Sequence, residues 1–308
     1  MSPRVHVAVL AHNNEACVLD LLQALELAAP DATVSVFNGG RNGRYLRGRD
    51  VRICPNSQPL RYGNLTAFHY GVMRWLRDEQ IAYDILVTVD QDVMPVKRDL
   101  SDLLDQSLGD SGYMAPLFGP STDPRVQATG IYTLLDLAPR WEQGWSRLFG
   151  VDEPYWAFNP CQVFRRDTVE AILQLPQLPR LMRHASHVLV WAMEEAVWPS
   201  LAAAVDSQPK RHPGEAGLLY GFHSVQEICE LSANPAVSLI HRVTMDLAAP
   251  DRRAAWSILR GEAVDPSILD APPTPERPPA SAPTGWNLQR VRESLDWRFR
   301  NWWTLNMP

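Results

Sequence analysis

The feature that most restricts the fold is the alternation of apolar β-branched runs with helically spaced apolar residues across residues 5–89. Residues 5–10 are apolar and stop at Ala11, His12, Asn13 and Asn14, which predicts a buried strand ending in a polar loop. Val18, Leu21, Leu22, Leu25 and Leu27 then recur at helical spacing, and Pro30 closes that helix. Residues 33–37 predict a second strand that runs into Asn38, Gly39 and Gly40, a turn that small residues enter at little steric cost. A further helix opens near Tyr62, Gly63 and Asn64 and continues through Trp75 and Leu76, and residues 84–89 predict a third strand. This order builds an α/β fold, a central mostly parallel sheet flanked by helices. Ligands of such a sheet bind beyond the carboxyl ends of its strands, so the polar loops share one edge.

Composition narrows the partners. With a formal charge of -6 and a pI near 5.8, the chain is expected to carry no broad cationic surface, which excludes nucleic acid as the main partner. Cys17, Cys54, Cys161 and Cys229 lack CxxC or Cys/His spacing, so neither a zinc site nor a disulfide framework is indicated, and a cytoplasmic location fits. The apolar run at the start is too short for a signal-peptide core, and no stretch of about 18 apolar residues occurs. Any work at the inner membrane is therefore expected to be peripheral.

Beyond the third strand, residues 100–108 predict a helix, TGIYTLLDL at 129–137 reads as strand-like, and the segment from Tyr155 to Leu175 reads as a strand or loop entering a helix. Residues 271–285, APPTPERPPASAPTG, are too rich in Pro and small residues to pack and read as an extended linker. The main domain is thus expected over 1–270. A Trp- and Arg-rich amphipathic segment follows over 286–308; it docks on its own core, on a second copy as a homo-oligomer, or on a membrane surface or other partner.

The sharpest chemical signal is Asp90-Gln91-Asp92 directly after the third strand. On an extended backbone residues i and i+2 face one side, so both carboxylates reach a single hard cation, Mn2+ or Mg2+. Such a cation neutralises the charge that develops on a departing diphosphate, the leaving group of a nucleotide-sugar. Acids at strand ends also occur simply for solvation, and the same pair fits a phosphatase or phosphotransferase of the haloacid-dehalogenase type, with Asp90 as nucleophile and Asp92 as acid. The second signal is Glu194-Glu195 at the mouth of an apolar helix. Glu195 is the candidate general base that accepts a proton from an attacking acceptor hydroxyl, giving inversion. Acids in a first helical turn also suit the helix dipole, which is the alternative. The loops holding Ala11, His12 and Asn14, and Asn38 and Gly39, form the natural wall for base and ribose, with Asp90 an acceptor for ribose hydroxyls. Trp156, Trp191 and Trp198 are candidates to stack on acceptor sugar faces, or are core.

Several segments resemble one family in the same order. Glu194-Glu195-Ala196-Val197-Trp198-Pro199-Ser200-Leu201 resembles the Asp-Glu-His-x-x-x-Thr-Leu segment of the branching β-1,6-N-acetylglucosaminyltransferases and peptide xylosyltransferases, in which the glutamate matching Glu195 is the base. The stretch from Val7 to His12 resembles the family's opening strand, Arg61-Tyr62-Gly63-Asn64 its small-residue turn, and the stretch from Tyr155 to Val169 its acceptor-side segment. The resemblance implies the GT-A fold, a Rossmann-like fold of nucleotide-diphospho-sugar transferases, and places Gly63 and Glu194 beside the donor and the base. It departs at Asp90-Gln91-Asp92, because that family is metal-independent, whereas GT-A transferases more widely use Asp-x-Asp with Mn2+ or Mg2+. In several of those enzymes a late histidine completes the cation's shell. His241, at the end of the strand-like run from Val237, resembles it, with Arg242 holding a phosphate oxygen.

The expectation is therefore a hexosyl- or N-acetylhexosaminyl-transferase that moves a sugar from a nucleotide-sugar donor, expected to be a UDP-sugar, to a glycan or glycosylated small-molecule acceptor in polysaccharide biosynthesis. A non-catalytic glycan-binding relative is the third alternative. A nucleotidyltransferase is disfavoured, since no Gly-rich triphosphate loop precedes the first helix.

Overall fold

In chain order the elements are β1 (Val5–Ala11), α1 (Glu15–Ala28), β2 (Thr33–Asn38), α2 (Thr66–Asp78), β3 (Ile85–Asp90), β4 (Val93–Pro95), α3 (Leu100–Leu108), β5 (Tyr113–Ala115) and β6 (Gly119–Pro120). There follow α4 (Pro124–Arg140), α5 (Ser146–Phe149), β7 (Tyr155–Trp156), β8 (Gln162–Arg165), α6 (Arg166–Gln174), α7 (Leu178–His187), α8 (Glu194–Val205), β9 (Lys210–Arg211), α9 (Val225–Ala233), β10 (Leu239–His241) and α10 (Pro250–Arg260). These come from a computed structural model that describes residues 2–61, 63–187, 190–205, 208–219, 221–269 and 271. Apart from Ala271, the Pro-rich linker and the C-terminal docking segment expected from the sequence lie outside the described residues.

The main sheet has six strands in the order β2-β1-β3-β8-β5-β9. β1 pairs in parallel with β2 and β3, β5 in parallel with β9, and β8 alone runs against its neighbours β3 and β5. The sheet is thus mostly parallel, as the strand-helix alternation requires, with one reversed strand in the middle.

Period-two alternation divides the core between the two faces of this sheet. Val5, Val7 and Val9 of β1 pack with Val18, Leu21 and Leu25 of α1 and with Ala255 and Leu259 of α10. Ala8 and Leu10 point the other way, toward Phe68 and Val72 of α2 and Val197 and Leu201 of α8. Each fully buried aliphatic chain contributes roughly 1.5–3 kcal/mol, which is why β1, buried along its whole length, belongs inside the sheet and not at an edge.

The run at 129–137 is helical, inside α4, and not a strand. Its β-branched residues suggest a strand, yet Val126, Gly130, Thr133 and Leu137 recur at helical spacing, and all four are buried. Asp123 caps this helix by accepting the Arg125 amide at 2.8 Å, and Pro124 occupies its first turn. Lys210 and Arg211 form the edge strand β9, and the next residue, His212, is buried. Among the described residues no helix is long and apolar enough to cross a membrane, and the four cysteines are free.

Candidate active site

β3 ends at Asp90 on the carboxyl edge of the sheet, and a two-residue turn follows before β4. Asp90 and Asp92 therefore meet through a turn, rather than along the extended backbone expected from their spacing. The turn is braced by Gln91, which is 7% exposed. Its side-chain oxygen accepts the His12 amide at 3.1 Å and its nitrogen donates to the Asn13 side chain at 3.0 Å. The short antiparallel pair β4-β10 then sets His241 opposite Val93, one residue beyond Asp92. Val243 completes the clasp by donating its amide to the Asp92 carbonyl at 2.8 Å.

This topology gathers Asp90, Asp92 and His241, whose ligand atoms lie within 4.8 Å of one another. His241 Nε2 is 3.6 Å from Asp92 Oδ1, and Arg242 Nε donates to Asp92 Oδ2 at 3.3 Å. Burial holds the His241 imidazole below its ordinary pKa, in the neutral form that has a lone pair to offer. Two hard carboxylates and one imidazole are a donor set suited to Mn2+ or Mg2+.

Nearby, α8 begins with Glu194 and Glu195, which are 3% and 9% exposed. Glu194 is fixed by the Leu65 amide, which donates to its Oε2 at 2.7 Å. Glu195 accepts the Asn159 amide at 3.3 Å, and the Asn159 side chain reaches back to Asp90 Oδ1 at 3.5 Å. Gln162 orients that side chain by donating to its oxygen at 3.3 Å. One asparagine thus spans the gap between the Asp-x-Asp turn and the candidate base.

Four carboxyl groups this close together disfavour ionisation. Burial, then the neighbouring Asp92 and Glu194 charges, push Asp90 up to about 8. Burial pushes Glu194 up to about 7, and burial followed by Glu194 raises Glu195 well above the usual carboxyl range. The cluster therefore has a deficit of positive charge that a divalent cation would relieve, and on donor chemistry and electrostatics alike the residues fit one.

The other expected site residues divide. Ala11 ends β1 and its carbonyl accepts the Gly39 amide at 2.7 Å, joining the two loops. Gly39 lies under His12, where an added Cβ would come 2.8 Å from Nδ1. The side chains of Asn14 and Asn38 are used within the fold: Asn14 caps α1 and donates to the Met245 carbonyl at 2.7 Å, and Asn38 braces its own turn through Asn42 and Gly40. Gly63 has φ +74° and its Cβ position is 2.6 Å from the Trp191 ring. Trp191 is 42% exposed. Trp156 and Trp198 are corrections to the acceptor reading: both are fully buried in the core and present no face to a sugar.

Sequence reasoning missed Asn159 and Gln91, uncharged residues with no motif of their own. It also missed the support beneath His241 and Arg242. There Arg252, fully buried, is ion-paired to Asp20 at 2.5 Å and donates to the Thr244 carbonyl at 2.9 Å, while Asp251 accepts the Thr244 amide at 2.7 Å.

No family model and no curated protein matches the chain. Among solved structures it is similar to the galactosyltransferase LgtC in complex with donor and acceptor sugar analogs, at 15% identity over 85% of this chain and 97% of that one, with a TM-score of 0.43. It is also similar to the mannosyltransferase PcManGT from Pyrobaculum calidifontis in complex with GDP-Man and Mn2+, at 16% identity over 58% of this chain and 49% of that one, TM-score 0.33. A third is glucosyl-3-phosphoglycerate synthase from Mycobacterium tuberculosis in complex with Mn2+, UDP and phosphoglyceric acid, at 16% identity over 55% of this chain and 58% of that one, TM-score 0.34. Likenesses this distant assign neither donor nor acceptor, and the functional reading rests on the geometry of the site.

Proposed function

We propose that this chain is a glycosyltransferase of the GT-A kind, which moves a sugar from a nucleoside-diphosphate donor, a UDP-sugar in the first instance, to an acceptor hydroxyl with inversion. The observation that carries the reading is the link from Asp90 through Asn159 to Glu195: a candidate cation-binding pair and a buried carboxyl group joined by a single residue. That is the disposition an inverting transfer needs, with the leaving group on one side of the anomeric carbon and the base on the other.

Asp90, Asp92 and His241 would hold the divalent cation, which when bound offsets the charge developing on the departing diphosphate. Arg242, half-buried and facing Asp92, is placed to bind a diphosphate oxygen through its planar fork. The loops at Ala11, His12 and Gly39 line the approach to the nucleoside, their backbone groups free to serve where Asn14 and Asn38 are not. Glu195 takes the proton of the acceptor hydroxyl at Oε1 or Oε2. It does so in its ionised form, which a bound cation would favour by offsetting the neighbouring carboxylate charge, and Asn159 holds its orientation. Glu194 positions the helix start through Leu65, and Trp191, over Gly63, is the aromatic surface left for an acceptor sugar.

Calorimetric titration of UDP, GDP and dTDP with and without Mn2+ tests the reading, together with nucleotide release from the matching sugar donors. One diphosphate should bind in a Mn2+-dependent way that Asp92→Asn abolishes. Glu195→Gln should lower turnover by about 10²–10⁴-fold while leaving donor affinity nearly unchanged. Binding of none of the three, or a trapped aspartyl-phosphate on Asp90, overturns the assignment, the latter in favour of phosphotransfer.

A further inference from the structure

The loop that leaves β2 carries Arg41, Arg44, Arg47, Arg49 and Arg52 within twelve residues, against the single acid Asp50, in a chain whose net charge is -6. The first four are exposed. Among the described residues none of those four makes an ion pair, whereas Arg4, Arg165, Arg211 and Arg252, among others, each have a carboxylate partner. Arg52 is occupied differently, over the Trp75 ring at 5.2 Å.

The loop is shaped, not loose. Tyr45 and Leu46 are 6% and 2% exposed and pin it to the start of α1. The Tyr45 hydroxyl donates to the Asn13 carbonyl at 2.8 Å, and Glu15 accepts the Leu46 amide at 2.9 Å. Backbone bonds from Tyr45 to Asn42, Arg47 to Arg44 and Arg49 to Leu46 close successive turns, with Leu46 and Gly48 at φ +58° and +80°. Between this loop and the returning segment that bonds to β2 through Val36 lies an open cleft of about 640 Å³. Arg47 and Arg49 line it, together with Asn38 and Ser57. The cleft lies beyond β2, two strands from β3, and so at least about 10 Å from the Asp90 carboxylate by strand spacing alone.

We propose that the 41–49 loop and the cleft beside it form a second anion site, which binds the phosphate groups of a phosphorylated ligand without a metal ion. A phosphate or diphosphate group carries two or more negative charges and offers several oxygens to planar guanidinium forks, whereas a lone carboxylate leaves most of four unpaired arginines uncompensated. The acids that face the loop, Glu15 and Asp50, do not cancel it: Glu15 is held by the Leu46 amide, and Asp50 stands alone against the arginines. The inference is independent of the transferase reading, because it uses none of Asp90, Asp92, His241 or Glu195.

The test is calorimetric titration of the full chain with pyrophosphate in excess chelator, which leaves the carboxylate cluster without a cation. In parallel, co-sedimentation is measured with phosphatidylcholine vesicles with or without phosphatidylglycerol. Wild type should bind pyrophosphate or the anionic vesicles, and the Arg47→Gln/Arg49→Gln double variant should lose about tenfold or more in affinity. Asp90→Asn/Asp92→Asn should bind within about threefold of wild type, well under the 1.4 kcal/mol of a tenfold change. Pyrophosphate binding without sedimentation marks a soluble phosphorylated ligand, and sedimentation that the double variant abolishes marks a lipid headgroup; either supports the site. The proposal is overturned if wild type binds neither probe, if the double variant binds as wild type does, or if Asp90→Asn/Asp92→Asn alone removes binding. Both arginines are exposed, so circular dichroism of the double variant should match wild type and separate lost binding from lost fold.

Discussion

The side chain of Asn159 faces Asp90 while its backbone amide faces Glu195, so one exchange at this position separates orientation from charge. Asn159→Ala keeps the backbone bond to Glu195 but frees both Asp90 and Gln162. Turnover should fall by about 10- to 100-fold, in the range seen when supporting partners of metal ligands are removed, and Mn2+ affinity should weaken with it. Single-turnover nucleotide release and electron paramagnetic resonance of free Mn2+ read the two effects. His241→Ala should weaken Mn2+ binding at least as much while leaving the Glu195 region intact. An unchanged Mn2+ affinity in that variant would remove the imidazole from the cation's shell.

Between elements, close approach decides what each position tolerates. Gly130 sits inside α4, where alanine ordinarily stabilises a helix by about 1 kcal/mol. Here an added Cβ would come 2.7 Å from the Trp156 ring, and overpacking of that kind costs about 1–3 kcal/mol, so the clash wins. Gly130→Ala should lower the urea midpoint; a rise would show that Trp156 can move aside. The Asp20–Arg252 pair joins α1 to α10 beneath the segment that carries His241 and Arg242. Asp20→Asn leaves a fully buried guanidinium without its counter-charge and should cost about 3–5 kcal/mol. Arg252→Met instead strands the Asp20 carboxylate, which is partly solvated and keeps its bond from the Trp256 indole, and should cost less, a ranking that equilibrium unfolding of the two variants checks.

Across the whole molecule two sets of buried groups pull the pH response in opposite directions. Burial lowers His6 and His212 to about 4 and His69 to about 3, so between those values and pH 6.5 the unfolded chain holds more protons, and these rings lose stability as pH falls. Asp90 and Glu194, raised to about 8 and about 7, act with the other sign: their contribution is full below pH 4 and is lost as pH rises through the folded values. Each group contributes up to about 1.4 kcal/mol per pH unit. Between about pH 4.5 and 6.5 the two sets largely offset each other, whereas above 6.5 only the carboxyl groups still titrate. The metal-free protein should therefore lose stability from pH 6.5 to 8, and Mn2+ at pH 8 should restore it by binding the ionised cluster. Urea unfolding at pH 5.5, 6.5 and 8 with and without Mn2+ checks this; a midpoint that rises from 6.5 to 8 without metal would contradict it.

Local spacing in the chain was enough to reveal the strand-helix order of the first half, the strand that ends at Asp90 and the helix that opens at Glu194, because periodicity and polar strand ends are properties of neighbouring residues. It was not enough for residues 129–137, where β-branched residues mimic a strand and only packing against Trp156 selects the helix. Nor could it separate Trp191 from Trp156 and Trp198, since burial depends on what lies opposite. Composition likewise averaged away the arginines of the 41–49 loop, which matter only because the fold leaves them together and unpaired. What tertiary structure alone decided is the meeting of Asp90, His241 and Glu195 around Asn159, positions up to 151 residues apart in the chain. Residues that distant are brought together by strand pairing and helix packing, which bury apolar surface from many elements at once, and no local pattern encodes that outcome.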